Sequence, residues 1–543
     1  MSSLVTLEVK QPEWKKPSEE IFIGKDILEL LSTSMYVEPL SMYREYVQNA
    51  ADSLDGSKAA VEVASLPHDV EIRIDRQSRN IRITDRGLGL SARDFYRRLT
   101  SIGGSAKRGT KLRGFRGVGR LAGLAFCQEL IFRTRALGSD QIHELRWDTR
   151  KVRSLLLSTE STFSLAEIVA EAVETRTIRA SSEPSNFFEV ELRNVVRHRD
   201  DRLLDTTVVA TYLEQVAPVP FHNDFKYGQA ITDFLLEHGV NLHPLSIHIV
   251  GEGQIFRPHR NVINLGNGKS TEIGELRRFV LKDRNGETSA VSWILHHDYL
   301  GSLPKSTFVS GWRMRSGNIQ VGNDVLLEDL FPESRFNGWT IAETHVLDPK
   351  IIPNGRRDNY EHSAHLTDLL TRLTPFARDI ANLCRTHSLA RNSHYKVETE
   401  LQRLEEKLQV ASKPRTPGFI VAAFHSEFAA AHPVLLKATA KSLFDTPEGE
   451  RLRSRLRKLE NRNASLTERE DDVEALSDFP AKEREVLRRI IEAIHVIQGE
   501  TQEADSLIGK LLARLRRQRS GRAAKKSRSQ QHQRTTPRSL DIS

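Results

Sequence analysis

Cysteine is nearly absent from this chain: Cys127 and Cys384 are the two in 543 residues. So few, so far apart, they exclude a disulfide framework and a cysteine-based zinc site. A reducing, cytoplasmic setting is expected. No run of about 18 apolar residues occurs, which leaves no candidate membrane helix. The segment from Met1 to Trp14 is mixed polar and lacks the apolar stretch of a secretory leader. No internal repeat is visible, and glycine becomes scarce after about residue 390.

The chain is otherwise ordinary for a globular protein, with 38% hydrophobic and 28% charged residues. Its length suggests about three or four domains. The net charge of +8 is unevenly spread. Lys510 to Arg538 holds eleven Lys or Arg and no acid, and the remainder is slightly acidic. That distribution describes a solvated basic arm able to contact nucleic acid or another polyanion.

Apolar spacing predicts helices at Ile27–Leu31 and Met42–Leu54. Alternation predicts strands at 70–74 and 80–84, joined by a hairpin turn over Asp75 to Arg79. Gly103 to Gly119, rich in glycine and basic residues, is expected to be a mobile loop, followed by a helical pattern over Arg120 to Cys127. Further strands are expected at 128–134 and 187–192. An α/β unit over 1–215 is therefore expected. A second α/β unit over 216–389 has strand-like runs at 245–250, 290–295 and 318–321. Its helix near 366–383 should be kinked or broken by Pro375. Over 390–518 the pattern is helical. Val397, Leu401, Leu404 and Leu408 form a short seam that suits either a coiled-coil arm or a helix packed on its own domain. Residues 519–543 have the composition of a disordered tail.

Three clusters carry chemistry. Glu45 and Asn49 lie one turn apart on one face of the Met42–Leu54 helix, with Asp52 nearby. A carboxylate there can deprotonate a water, and an amide oxygen can ligate magnesium. Asp85, Gly87 and Gly89 follow a strand, where an acid can accept a hydrogen bond from an amino group and glycines allow close approach. Gly114, Gly117, Val118 and Gly119 precede a helical run, placing backbone N–H groups to face phosphate. Ser105, Lys107, Arg108, Lys111 and Arg113 add polar and positive groups. Taken singly, these are a solvated helix face, an ordinary turn and a glycine-rich loop. The last is not a dinucleotide fingerprint, because no strand–loop–helix unit with a downstream acid is evident, and not a P-loop, because Thr110-Lys111 reverses the required Lys-Ser/Thr order.

In this order and spacing the three clusters resemble the GHKL ATPase superfamily of gyrase, heat-shock protein 90, histidine kinase and MutL, over roughly residues 20–195. The resemblance implies a Bergerat-type α/β sandwich binding ATP and Mg2+. It implies Glu45 as general base, Asn49 as magnesium ligand and Asp85 as acceptor for the adenine amino group. Gly87 and Gly89 would shape the adenine turn. Gly114, Gly117 and Gly119 would cradle phosphate within a lid, and Thr134 would support the adenine side through the acid.

Glu45 aligns with the chaperone, gyrase, MORC and MutL branches, where this glutamate activates water. The layout is most like heat-shock protein 90-like or MORC-like ATPases. Leu347 to Asp358 resembles the chaperone loop whose arginine reaches the γ-phosphate. Arg357 matches by position, with Arg356 as the alternate. The basic loop from Gly311 to Asn318, with Arg313 and Arg315, and Lys305 are further candidates for that part. His296-His297 is read as structural. The function implied is an ATP-hydrolysing clamp, homodimeric and closing at its N-terminal domains, acting on a protein client or DNA. A binding module without turnover and a protein phosphotransferase are the alternatives.

Overall fold

The computed structural model describes residues 38–57, 68–102, 119–158, 163–180, 184–197, 200–240, 244–413, 416, 418–466, 476–498, 503–504 and 506–518. They fall into two compact units, Met1–Cys384 and Arg385–Ser543. The expected helix at Ile27–Leu31, most of the glycine-rich loop and the 519–543 tail lie outside the described residues. No described helix is long and apolar enough to cross a membrane.

Among the described residues, the first unit holds two main sheets and a separate two-stranded hairpin. The larger has eight strands in the order β5-β4-β3-β6-β2-β1-β7-β8. These are β1 (Val70–Asp75), β2 (Asn80–Asp85), β3 (Glu129–Arg135), β4 (Gln141–Asp148), β5 (Val173–Arg179), β6 (Phe187–Arg193), β7 (Ile247–Ile249) and β8 (Gly253–Gln254). The β1–β2 hairpin pairs Asp75 with Asn80. The Asp75 carboxylate ties the turn by accepting from the N–H groups of Gln77 at 2.8 Å and Ser78 at 3.1 Å.

Helices cover one face of this sheet: α1 (Ser41–Ser57), α2 (Ala92–Thr100), α3 (Thr149–Leu157), α4 (Leu165–Ala172) and α5 (Thr206–Val216). Helix α1 buries Met42, Tyr43, Tyr46, Val47, Ala50, Ala51 and Leu54 against Ile72, Ile81, Ile83 and Leu130. That leaves a polar flank with Glu45, Asn49 and Asp52. Many sheet positions off the apolar core are charged and cross-paired, as in Arg133 with Glu144 at 2.8 Å and with Glu189 at 3.1 Å. This is the two-residue alternation of a half-buried sheet.

The sheet does not stop at residue 215. The strand expected at 245–250 joins it, with β7 parallel to β1 (Val70 opposite Ile247), and does not enter the second sheet. A three-residue strand carries no mark of which sheet it will enter.

After helix α6 (Gly228–Glu237) and the hairpin of β9 (Val262–Gly266) and β10 (Lys269–Glu272) comes the second sheet. It contains β11 (Glu275–Lys282), β12 (Thr288–His296), β13 (Gly311–Ser316), β14 (Ile319–Val321) and β15 (Ile341–Val346) in the order β11-β12-β15-β13-β14. On one face Ala290, Ile294, Trp312, Met314 and Ala342 pack with Leu369, Leu373, Ala377 and Ile380. On the other, Trp293, Leu295 and Ile341 pack with Ile231, Phe234 and Leu235 of α6.

One expectation is corrected here and one is narrowed, since Pro375 does not break its helix. Gly311 to Asn318 is not a basic loop: its arginines stand on buried strand β13. Helix α7 (Ala364–Ala411) runs through Pro375 without ending. Buried Leu369 and Leu373 before it, and Ala377 and Ile380 after it, hold both halves on the sheet. This packing offsets the lost backbone hydrogen bond.

The second unit is helical, with α8 (Gly418–Thr439), α9 (Pro447–Ala464) and α10 (Ala481–Gln498). Val397, Leu401, Leu404 and Leu408 pack against Phe424, Phe428, Leu452, Leu456 and Leu459 of the same unit. The seam is therefore an intramolecular helical core.

Candidate active site

Helix α1 supplies the first wall. Glu45 is 9% exposed and Asp52 5% exposed, while Asn49, one turn from Glu45, is half-buried. The 3-10 segment Gly119–Ala125 is pinned to α1 by Tyr46. The Tyr46 hydroxyl accepts from Gly123 N–H at 2.8 Å and donates to the Arg120 carbonyl at 3.3 Å. Gly119 thereby lies against Glu45, and a Cβ at Gly119 would collide with the Glu45 carboxylate. The last glycine of the predicted phosphate loop and the predicted base thus share one corner.

Asp85, at the end of β2, is the second wall. Its carboxylate accepts from Gly87 N–H at 2.9 Å and from the Ser53 hydroxyl on α1. Burial pushes its pKa up to about 7, countered in part by the Gly87 hydrogen bond, the nearby Arg86 charge and Ser53. The carboxylate is thus held in a dry pocket with few protein partners, which suits a small donor such as an aromatic amino group.

Gly89 has φ +67°, and a Cβ there would strike the backbone carbonyl of Arg135. Thr134 is fully buried. Its Oγ1 accepts from Leu90 N–H at 2.9 Å and donates to the Phe187 carbonyl at 3.1 Å. Its hydrogen bonds therefore brace the turn after Asp85, and not the acid itself as the resemblance implied.

The third wall comes from the loop after β15. Arg357 is 7% exposed, and its Nε lies 3.4 Å from Glu45 Oε1. Burial lowers its pKa from the usual arginine value, with Glu45 acting in the opposite sense. Arg356 is exposed, but its carbonyl accepts from Arg44 Nη2 of α1 at 2.9 Å. Of the two arginines, Arg357 is the one brought to Glu45. Lys305 is exposed on the short turn Lys305–Thr307. Arg313 and Arg315 are taken up in buried hydrogen bonds. His296 bonds the Tyr299 hydroxyl and His297 the Trp339 carbonyl, which are structural contacts.

Ser105, Lys107, Gly114, Gly117 and Val118, with Arg108, Lys111 and Arg113, lie outside the described residues. Three contributors were not singled out from the sequence. Ser53 continues the Glu45–Asn49 face by one turn, a spacing that could have flagged it. Arg44 precedes the base. Asn186 donates to the Gly87 carbonyl at 2.7 Å from 99 residues away, and no local pattern announces it.

The corner fits a nucleotide with a metal. It combines a buried carboxylate with spare acceptor capacity, a glycine packed directly against the Glu45 carboxylate, and an amide oxygen at half-burial one turn from the base.

Comparison with known proteins agrees with this geometry. Residues 42–176 match the family model described as histidine kinase-, DNA gyrase B-, and HSP90-like ATPase. Similar relatives include the chaperone protein HtpG of Psychrobacter arcticus, 29% identical over 168 residues, covering 27% of this chain and 25% of the relative. HtpG of Bacillus velezensis is 26% identical over 136 residues, covering 22% of each chain. HtpG of Methylobacterium sp. is 37% identical over 87 residues, covering 15% of this chain and 14% of the relative. The chain thus matches about a quarter of the length of the first of these relatives. Residues 42–176 are similar to GHKL-type ATP-binding domains, and the likeness to HtpG supports an Hsp90-like layout there.

Proposed function

We propose that the protein is a Mg-ATP-hydrolysing clamp of the heat-shock protein 90-like or MORC-like type. The observation that carries this reading is the meeting of Glu45 with Arg357, a residue 312 positions away that is delivered by the second sheet's domain. A carboxylate in a site of this kind needs a water to deprotonate and a cation to stabilise charge on the transferred phosphoryl group. In this reading Glu45 takes the proton from the attacking water. Asp85 accepts from the adenine amino group. The glycines from Gly114 to Gly119, with Ser105 and Lys107, cradle the phosphates. Asn49 would hold magnesium, which when bound neutralises phosphate charge.

While Arg357 pairs with Glu45, the base is engaged and turnover is restrained. A γ-phosphate competes for Arg357 and releases Glu45 to the water. ATP therefore favours one arrangement of the domains by differential contact, which is how a ligand drives a clamp. Closure would join two copies at their first domains. The client would be a protein, by likeness to the chaperones. Nucleic acid is the second reading, favoured by the Lys510–Arg538 charge. Two buried free thiols suit a cytoplasmic setting.

The test is steady-state hydrolysis by the wild type, Glu45→Ala and Arg357→Ala, with ATP affinity measured alongside. Glu45→Ala should lose turnover and keep ATP binding. Arg357→Ala should lower kcat by about a hundredfold or more. Normal turnover in Glu45→Ala would remove the reading. Phosphate recovered on protein instead of in solution would replace it with a phosphotransferase. ATP binding without turnover in the wild type would leave a nucleotide-dependent interaction module.

A further inference from the structure

Three arginines, Arg257, Arg313 and Arg315, are buried on one side of the second sheet with a single buried carboxylate among them, Glu343. Burying a guanidinium costs several kcal/mol unless its donors are met, so their partners are informative. Arg257 donates to Glu343 at 2.6 Å, to Asn318 Oδ1 at 2.5 Å and to the Val219 carbonyl at 3.2 Å. Arg315 pairs with Glu343 at 2.8 Å and donates to the Gln215 carbonyl at 2.6 Å. These two fasten the chain leaving α5 to strands β13 and β15.

Arg313 is different. Its Nη1 bridges two side-chain oxygens, Gln215 Oε1 at 3.2 Å and Gln320 Oε1 at 3.1 Å. Its Nε and Nη2 both reach the Ser310 carbonyl. From Gln320 the path continues. Its Nε2 donates to the Gly322 carbonyl at 3.1 Å, and Gly322 N–H donates to the Arg357 carbonyl at 2.9 Å. In the other direction Gln215 Nε2 donates to the Thr211 carbonyl of α5 at 2.9 Å. Helix α5 shares a core with α1 through Ala210, Leu213, Tyr46 and Val47.

One hydrogen-bonded path therefore joins the helix beside Glu45's own to the backbone of Arg357. That backbone is held in the left-handed region at φ 55°. A non-glycine residue there costs about 1 kcal/mol and persists only where its surroundings hold it.

We propose that Arg313 is a positioning residue for Arg357. By bridging Gln215 and Gln320 it sets the placement of the Arg357 loop relative to α5 and α1, and so delivers the Arg357 guanidinium to Glu45. The inference rests on the reading that Glu45 and Arg357 serve ATP hydrolysis. Arg313 touches neither of them. Its effect passes through the loop and belongs to kcat.

The test uses the full chain. ATP affinity, KM and kcat are measured for the wild type, Arg313→Met, Arg357→Ala and the double variant. Arg313→Met should lower kcat about tenfold or more, because a small displacement of a reacting group is costly. ATP affinity should stay within about twofold, and the change should add little in the Arg357→Ala background. Arg313→Lys, which keeps donors for both glutamines, should recover part of the loss.

If Arg313→Met fails to fold, Gln215→Met removes one acceptor from a half-buried side chain and should lower kcat in the same way. Wild-type kcat in whichever of these variants folds would overturn the proposal. So would an Arg313→Met effect that multiplies fully with Arg357→Ala. The ATPase reading fails separately, by normal turnover in Glu45→Ala; loss of turnover there with no effect of Arg313 or Gln215 sinks the positioning role alone.

Discussion

A carboxyl group that is buried with one backbone N–H and one hydroxyl for partners keeps its proton to a higher pH than it would in water. Asp85 is in that position, with its pKa pushed up to about 7 by burial. In the unfolded chain it ionises near pH 4. Between about pH 4 and 7 the folded state holds the extra proton. The Asp85 contribution to stability therefore declines as pH rises through that window and is level above it. An amino group donating to Asp85 favours the ionised form, so ATP binding should drive the proton off below about pH 7. As pH falls below about 7, ATP affinity should weaken by up to about tenfold per pH unit, with proton release on binding visible by calorimetry in buffers of different ionisation heat. Asp85→Asn should remove that part of the pH dependence. The same pH profile in both proteins would mean that Asp85 is not the adenine acceptor. Its position after a strand and before two glycines made this acid legible in the sequence. Its partner Ser53 could be placed on the Glu45–Asn49 face by spacing, but its pairing with the acid could not, because only the fold brings the hydroxyl to Asp85.

At the scale of the element, the turn from Asp85 to Leu90 depends on one close approach. Gly89 is left-handed and lies against the Arg135 carbonyl, whereas Gly138 is left-handed at φ +80° with open space around its Cβ position. Both Gly→Ala changes incur the conformational cost of about 1 kcal/mol. Only Gly89→Ala must also push strand β3 away from the turn that Thr134 braces. A fall in melting temperature of a few degrees is expected for Gly138→Ala, with ATP affinity unchanged. A larger fall with clear loss of ATP affinity is expected for Gly89→Ala. Equal effects would show that the approach to Arg135 does not shape the site. Elements with strong local periodicity, such as α1 and the β1–β2 hairpin, could be read from the sequence because their own burial pattern specifies them. Strand β13 misled for a physical reason. Arg313 and Arg315 look like surface residues until Glu343, Gln215 and Gln320 are brought around them, and those partners are spread over more than a hundred residues. The same non-locality hides β7's place in the first sheet.

For the whole molecule, charge is divided by position more sharply than composition suggests. From residue 519 onward the sequence has seven Lys or Arg, and its only acid is Asp541. The proposed ATP site draws on residues between Glu45 and Arg357. A polyanion meeting the tail would release counterions in proportion to the charges neutralised. With all seven engaged on duplex DNA, the logarithm of the binding constant should fall with the logarithm of salt at a slope of roughly six. Removing residues 519–543 should abolish most of that salt-sensitive binding while leaving kcat without DNA unchanged. The wild type and the deletion should be titrated with duplex DNA at several salt concentrations, with hydrolysis followed in the same samples. Loss of DNA binding with intact turnover would favour a nucleic-acid client and give the tail the task of recruitment. Unchanged DNA binding would leave the protein-client reading as the better supported, because the likeness to chaperones rests on the first domain and not on the tail. If DNA accelerates hydrolysis in the wild type alone, client capture at the tail is coupled to the Glu45–Arg357 contact, and the clamp and its client belong to one cycle.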